Sequence, residues 1–184
     1  GNARLALINW LAAKHMGARF VLRLDDTDAE RSTDAFADAI QEDLAWMGLQ
    51  WDSVEKQSDR LTAYDAAFDI LKAAGRVYAC YESPTDLDRQ RKLLRSQGKP
   101  PIYSPPDAEK LARFIDEGRP AHWRFKRKDG TIAFDDLVRG QVSFETANLS
   151  DPVIRREDGS WLYMLPSAID DADLGITHVV RGED

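Results

Sequence analysis

The sequence has 184 residues and only one cysteine, Cys80, which excludes an internal disulfide framework. Scarce cysteine is typical of proteins in a reducing compartment, so we expect a cytoplasmic location. No apolar run is long enough to span a bilayer, and no basic-then-apolar leader opens the sequence, so we expect no membrane partner. Hydrophobic residues make up 43% of the sequence and charged residues 31%, as is typical of a globular protein with a real core.

The sequence also lacks the motifs of several enzyme classes. It contains no P-loop, no Gly-x-Ser-x-Gly segment and no Cys/His nucleophile pair. Cys80 has no cysteine or histidine at ligand spacing, so we predict no metal site and no zinc. The three histidines, His15, His122 and His178, stand at positions more typical of helix ends, packing or surface than of catalysis.

Charge is unevenly distributed along the chain. The net charge of -7 argues against a simple basic nucleic-acid binder. Residues 86–128, however, contain twelve Lys or Arg and six Asp or Glu, a local net charge of +6 that leaves -13 for the rest. Such a block is either a polyanion-binding face or, more commonly, the solvated surface of a helix.

Apolar periodicity in the first 81 residues predicts an α/β fold with a parallel, Rossmann-like sheet, because helices alternate with short strands. The first helix carries an apolar stripe from Leu5 to Ala12, and Thr33 can cap the second. The predicted helices cover residues 2–16, 33–47 and 59–74, and the predicted strands cover 19–24 and 77–81, with 49–52 as a short strand or link.

The pattern changes at residue 82. Ser83, Pro84 and Asp86 form a strong helix start, and the helix that follows is basic. Asp129-Gly130 predicts a hairpin turn between strands 122–126 and 131–135. The sequence also predicts a helix over 106–117, strands over 141–145 and 152–156, and a last strand over 176–181. We therefore expect three segments: 1–81, an α+β insertion over 82–160, and a return to the first domain over 161–184.

The candidate site is the segment 23–28, Arg-Leu-Asp-Asp-Thr-Asp. A buried strand runs directly into Asp25, Asp26 and Asp28. Ligands of open α/β sheets bind at the carboxyl ends of strands, so these carboxylates would place negative charge in the crevice. The alternative is a solvated turn or a cap for the following helix.

Two further features can bind ligands. The N-terminus of the first helix offers unpaired backbone N–H groups to an anion, although this signal alone is weak. The Arg181 guanidinium can hold a carboxylate bidentately, or it can form a structural ion pair with Asp170, Asp171 or Glu183. Tyr163 alone is more typical of a core residue. The residues themselves indicate a nucleotide-fold protein with an acidic crevice, an inserted domain and a basic face.

Several motifs stand in an order and at distances that are hard to ascribe to chance, and together they resemble the catalytic half of bacterial glutamyl-tRNA synthetases of class I. The most specific are Asp-Thr-Asp at 26–28 and Gly-Ile-Thr-His-Val-Val-Arg-Gly at 175–182. The other matching segments are 1–4, 9–11, 20–25, 31–32, 57–58, 80–82, 158–159 and 170–171, with Arg60 and Tyr163.

The resemblance implies a class I synthetase fold, in which a Rossmann-like parallel sheet is interrupted by an inserted α+β connective domain. It implies ATP-dependent ligation of L-glutamate to tRNA(Glu) through a glutamyl-adenylate, with Mg²⁺ bound to ATP. Such catalysis rests on positioning and charge stabilisation, so no protein nucleophile is expected. Half of the HIGH-like motif and the whole Lys-x-Ser-Lys loop are not in the sequence. We therefore expect a fragment of a longer, monomeric enzyme, inactive alone.

The resemblance also implies site residues. Asp25, where the family usually has glutamate, would hold the α-ammonium of the substrate, and Arg181 would pair with a substrate carboxylate. Tyr163 and Ser167 would contact the same amino acid, Ser167 standing where asparagine is frequent. ATP would bind at Gly1 and Asn2. The candidates for contact with the tRNA acceptor end are Arg89, Arg91, Lys92 and Arg95.

Other interpretations remain open. Glutamyl-Q tRNA(Asp) synthetase also activates glutamate, but its usual zinc cysteines are missing here. Some bacterial glutamyl enzymes bind zinc through cysteines in the insertion, whereas segment 80–82 lacks the partner cysteines. Glutaminyl-tRNA synthetase fits the closing motif less well. A non-catalytic acceptor-stem-binding module and an unrelated nucleotidyltransferase are the remaining alternatives.

Overall fold

The computed structural model describes residues 2–27 and 32–182. The chain divides into two compact units, unit 1 with Gly1–Ala67 and Trp161–Asp184, and unit 2 with Phe68–Ser160. The helices are α1 (Asn2–Met16), α2 (Asp34–Trp46), α3 (Leu61–Ala73), α4 (Pro84–Ser96), α5 (Ala108–Asp116) and α6 (Met164–Asp173). The strands are β1 (Val21–Leu24), β2 (Ser53–Lys56), β3 (Val77–Cys80), β4 (His122–Phe125), β5 (Thr131–Asp136), β6 (Gly140–Glu145) and β7 (Val153–Arg155).

Unit 1 contains a parallel strand pair, as expected for the predicted parallel sheet, although its second strand, β2, lies at residues that were not predicted to form a strand. β1 runs parallel to β2, from Val21 opposite Ser53 to Leu24 opposite Lys56. Residues 49–52 form the link before β2, and a 3-10 turn, Gln57–Arg60, follows it. Among the described residues, no helix is both long and apolar enough to cross a membrane.

The apolar stripe of α1 is largely unpacked, and only Leu5 and Ala12 of it line an open groove. Leu5 and Leu11 are 38% and 52% exposed, whereas Ala13 is buried. The predicted stripe is therefore only partly covered. The core of unit 1 lies instead between the other helices and β1, with Leu24, Leu44 and Tyr64 buried. Apolar burial of this kind contributes about 25 cal/mol per Å² to folding.

Local capping signals are confirmed by the structure. The Thr33 hydroxyl accepts a hydrogen bond from the Phe36 N–H at the start of α2. Ser83 and Asp86 form a reciprocal capping box at α4, with Pro84 at its first turn. Each cap satisfies backbone N–H groups that a helix start leaves without intrahelical partners.

The strand over 77–80 does not belong to the parallel sheet, and this corrects our prediction. β3 pairs antiparallel with β4, and β4 pairs antiparallel with β7. The ring of Trp123 on β4 packs edge-to-face against Phe68, with centroids 5.2 Å apart. A short apolar strand is compatible with either kind of sheet, and packing partners distant in sequence decide which one forms.

The predicted hairpin turn at Asp129-Gly130 is also wrong. β5 pairs antiparallel with β6, so the hairpin turn lies after Asp136. The Asp136 carboxylate accepts hydrogen bonds from the N–H groups of Val138 and Arg139, which closes that turn. Instead, the Gly130 carbonyl accepts a hydrogen bond from the Thr146 N–H, and the Gly130 N–H donates to the Thr146 hydroxyl, just beyond β6.

Candidate functional site

Unit 1 contains an open groove of about 890 Å³ along β1. Its walls come from α1, α2, residues 18–25 and residues 174–180. Arg23 and Asp25 reach it from the carboxyl end of β1, and Asn9 from α1. This position is the one at which parallel strands present ligand-binding side chains.

Arg23 gathers polar side chains at the edge of this groove, and we call this set the Arg23 cluster: Arg23, Asp25, Ser167 and Asp171. The Nε atom of Arg23 donates to Asp25 Oδ1 at 2.7 Å. Its Nη1 donates to Asp171 Oδ1 at 2.8 Å, and its Nη2 to the Ser167 hydroxyl at 3.2 Å. Burial opposes the charge, but the bonds and charges of Asp25 and Asp171 outweigh it and raise the pKa of Arg23. Two predicted glutamate contacts, Asp25 and Ser167, are therefore brought together.

Behind this cluster lies a buried set that we call the Asp170 network: Asp170, Gln57, Arg60 and Tyr64. Asp170 is fully buried, at 0% exposure. Its Oδ1 accepts from Arg60 Nε at 2.7 Å and from the Tyr64 hydroxyl at 2.9 Å. Its Oδ2 accepts from Gln57 Nε2 at 2.9 Å. Burial and the carboxylate of Asp170 raise the pKa of Tyr64, so the phenol remains a donor.

The ion pairs around α6 contain more carboxylates than guanidinium groups. Around α6 the Arg23 and Arg60 guanidinium groups face four carboxylates, which leaves a net charge of -2. Those four carboxylates belong to Asp25, Asp170, Asp171 and Asp173. The Asp25 side chain is 48% exposed at the groove, so this negative charge is accessible to an ammonium group.

Among the described residues, no side-chain hydrogen bond joins the remaining predicted contacts, Tyr163 and Arg181, to the Arg23 cluster. Tyr163 immediately precedes α6 and is 60% exposed. Arg181 is exposed in a segment without regular structure, so the strand predicted over 176–181 is wrong. The same segment is fixed to α1, since Asn9 Nδ2 donates to the Val180 carbonyl at 2.9 Å. In the part of the chain that the structure describes, no ion pair joins Arg181 to Asp170 or Asp171, which pair with Arg60 and Arg23. The third predicted partner, Glu183, lies outside the described residues.

The predicted acidic turn and the ATP site are only partly described. Asp26 binds the start of the 3-10 turn, its carboxylate accepting from the Ser58 N–H at 2.8 Å and hydroxyl at 2.7 Å. Asp28 and Gly1 lie outside the described residues. Asn2 is the first residue of α1. Asp26 therefore binds the 3-10 turn after β2 and does not cap the following helix α2, which is capped by Thr33.

The basic helix α4 of unit 2 carries all four predicted tRNA contacts. Arg89, Arg91, Lys92 and Arg95 are exposed. Only Arg91 forms a short ion pair with a described residue, at 3.2 Å from Asp88. At the helix start, the Ser83 hydroxyl and the Arg119 guanidinium lower the pKa of Asp86 to about 2. Because the four cations on α4 are exposed, they are available to an anionic partner.

Cys80 has neighbours in space that its sequence spacing does not show. Cys80 lies opposite His122 in the β3–β4 pair. The Cys80 thiol, the Glu82 carboxylate and the His122 imidazole therefore lie within 4.8 Å of one another. The Tyr103 hydroxyl bonds both Glu82 Oε1, at 2.9 Å, and Cys80 Sγ, at 3.2 Å. Burial raises the pKa of the Cys80 thiol. The spacing of cysteine and histidine along the sequence therefore did not reveal this possible donor set, in which His122 Nε2 is buried without a hydrogen-bond partner among the described residues.

Comparison with known proteins identifies the family. A family model described as tRNA synthetases class I (E and Q), catalytic domain, matches residues 1–184. The chain belongs to this family. It is 53% identical to glutamate–tRNA ligase 1 of Maricaulis maris over 189 aligned residues and 56% identical to glutamate–tRNA ligase 2 of Methylobacterium radiotolerans over 188. In both comparisons, 100% of the chain matches 42% of the relative's length.

Solved structures agree with this assignment. The chain superposes on a glutamate tRNA ligase from Elizabethkingia meningosepticum, crystallised in complex with its amino acid, with a TM-score of 0.81 and 30% identity. That match covers 100% of the chain and 41% of the ligase. The mixed α/β fold with a parallel sheet is therefore that of a class I synthetase catalytic domain. Synthetases of class I use ATP and Mg²⁺.

The sequence motifs included Gln57 and Arg60 without a role, and Asp170 and Asp171 were considered only as ion-pair partners of Arg181. The role of Arg23 was missed. One signal could have found Asp170. It stands four residues after Pro166 on α6, and both residues are buried, so a carboxylate occupies the apolar face of a helix. A charge in that position requires donors from elsewhere in the fold.

Proposed function

We propose that this chain is the glutamate-activating part of a longer monomeric, cytoplasmic enzyme that ligates L-glutamate to tRNA(Glu) with ATP. The observation that carries the proposal is the Arg23 cluster, which brings Asp25 and Ser167 together at the edge of the groove. Membership of the glutamate and glutamine synthetase family supports the same substrate class.

The substrate glutamate is bound by complementary charge. Asp25 accepts hydrogen bonds from the α-ammonium, and its half-exposed carboxylate attracts that positive charge. Arg181, exposed near the groove-lining residue Val180, pairs with a carboxylate of the substrate. Tyr163 and Ser167 provide hydroxyl groups beside and within α6. These contacts select an amino acid that carries an additional carboxylate.

The reaction depends on the positioning of glutamate and ATP and needs no protein nucleophile. The α-carboxylate of glutamate attacks the α-phosphorus of ATP, and pyrophosphate leaves as the glutamyl-adenylate forms. A ribose hydroxyl at the tRNA 3′ end then displaces AMP from the acyl carbon. ATP arrives as its Mg²⁺ complex and binds at the N-terminus of α1, with Gly1 and Asn2, where backbone N–H groups favour phosphate.

Unit 2 supplies the proposed contact with the tRNA acceptor end. Four exposed cations on α4, Arg89, Arg91, Lys92 and Arg95, provide the electrostatic attraction to phosphate. We propose that segment 82–160 is the connective domain, inserted between 1–81 and 161–184. The Tyr103, Cys80 and Glu82 contacts hold part of this segment by hydrogen bonds, and we propose that it binds no zinc.

The test is glutamate-dependent ATP–pyrophosphate exchange by the full-length enzyme, measured with and without tRNA(Glu). We expect exchange that requires glutamate and is lost in an Arg181→Ala variant. A requirement for tRNA would exclude the glutamyl-Q alternative, which activates glutamate without tRNA. Tight tRNA binding without exchange would favour a non-catalytic acceptor-stem-binding module. Exchange with a different substrate would indicate another nucleotidyltransferase.

A further inference from the structure

Asp170 is a buried carboxylate to which the proposed reaction gives no direct role. Three side chains from a different part of unit 1 donate hydrogen bonds to it: Gln57, Arg60 and Tyr64. A buried charge is retained only where ion pairing and hydrogen bonds replace its water, and these donors do so. The position is therefore built around negative charge.

The same carboxylate also faces Arg23. Asp170 Oδ2 lies 3.8 Å from Arg23 Nε, the nitrogen that donates to Asp25 at 2.7 Å. Arg23 is therefore held between the buried Asp170 and the groove-side carboxylates. Two charges at this separation in a partly buried setting attract strongly enough to orient a guanidinium group.

We propose that Asp170 is a positioning residue for the glutamate site, acting through Arg23, and this inference rests on the proposed function. When the charge of Asp170 is removed, Arg23 loses its inner partner and is drawn further towards Asp25 and Asp171. Asp25 is then neutralised more completely and binds an ammonium group less well. The loss falls on glutamate binding, because Asp25 and Ser167 are the groups that Arg23 positions.

Asp170→Asn is the appropriate variant because it removes the charge and preserves the size of the side chain. Gln57 can accommodate the new amide. Its Oε1 is buried and has no hydrogen-bond partner among the described residues. Rotation of the Gln57 amide would let this oxygen accept a hydrogen bond from the amide introduced at position 170. We therefore expect the variant to fold.

The matched control is Asp173→Asn on the same helix. Asp173 also pairs with Arg60, at 2.6 Å, but its side chain is 53% exposed and, among the described residues, forms no hydrogen bond or ion pair with the Arg23 cluster. Its removal takes away one negative charge near α6 without reaching Arg23. A comparison of the two variants separates a general loss of charge from the specific role of Asp170.

The experiment measures ATP–pyrophosphate exchange by the full-length enzyme while glutamate and ATP are varied separately. We expect Asp170→Asn to raise the KM for glutamate roughly tenfold and to change the KM for ATP less than about twofold. Asp173→Asn should change neither constant by more than about twofold. A purely structural role would instead move both KM values together or lower only the folded fraction.

A folded Asp170→Asn enzyme with an unchanged KM for glutamate would overturn the inference. If that variant does not fold, Tyr64→Phe removes one donor and should raise the KM for glutamate roughly threefold, again without an effect on ATP. Equal changes in both constants would refute the positioning role. Wild-type enzyme without glutamate-dependent exchange would refute the proposed function as well, whereas normal exchange with unaffected variants would refute only this inference.

Discussion

Replacement of Tyr64 by phenylalanine tests how strongly the Asp170 network holds α6. The Tyr64 ring is fully buried, and its hydroxyl lies 2.9 and 3.0 Å from the two oxygens of Asp170. The variant removes one oxygen atom and leaves the ring in place. The carboxylate keeps its donors Gln57 and Arg60, so the variant should fold.

The expected magnitude follows from the charge on the acceptor. Hydrogen bonds to charged groups contribute about 1.5–3 kcal/mol, more than bonds between neutral groups. The remaining donors leave Asp170 partly satisfied, so the lower end of this range is the better expectation. Since about 1.4 kcal/mol corresponds to a factor of ten, opening of α6 should become roughly ten times more frequent.

Hydrogen–deuterium exchange of the full-length enzyme measures this local opening peptide by peptide. Peptides from α6, Met164–Asp173, should exchange roughly tenfold faster in Tyr64→Phe. The control is Tyr78→Phe in unit 2, whose hydroxyl donates to the Asp151 carboxylate at 2.9 Å. It should accelerate exchange around β3 and leave α6 unchanged.

Unchanged exchange of α6 in Tyr64→Phe would refute the view that the network anchors this helix. Uniform acceleration throughout the enzyme would also contradict it, because that pattern indicates global destabilisation. A third comparison, Tyr163→Phe, removes an exposed hydroxyl and should leave the exchange rate of α6 unchanged.

Three further predictions concern unit 2. Arg95→Gln should weaken tRNA binding and reduce the steepness of the plot of log affinity against log salt concentration by about 1. Arg113→Gln on α5 should do neither, and equal slopes for the two variants would contradict the proposed surface. Because the pKa of Asp86 is lowered from 3.8 to about 2, its stabilisation is present above pH 3.8 and is lost as the pH falls towards 2. Protection of α4 in hydrogen exchange, corrected for intrinsic rates, should decrease over that interval in the wild type and vary less in Asp86→Asn. Metal analysis should find no stoichiometric zinc that depends on Cys80; zinc that disappears in Cys80→Ser would refute our proposal.

Features controlled by neighbouring residues were predictable from the sequence. Caps are one example, because Thr33 and Ser83 bond N–H groups only a few residues away. The strand that ends at Asp25 is another, since an apolar segment followed by acid predicts both the strand and its polar end. The family motifs identified the fold class in the same way, as ordered local patterns.

Pairing and burial depended on the tertiary structure. Apolar alternation predicts that residues 77–80 form a strand, but it does not choose β4 as its partner, because partner choice depends on packing from residues far along the chain. That pairing alone places His122 beside Cys80.

The sequence by itself determined the family, most of the helices and strands, and the acidic end of β1. Only the tertiary structure decided that Asp170 is buried and that Arg23 joins Asp25 to Ser167. The donors Gln57 and Arg60 precede Asp170 by more than a hundred residues, so no local pattern shows them together. The physical reason is desolvation: a carboxylate can leave water only where the folded chain supplies donors, and those donors converge only after folding.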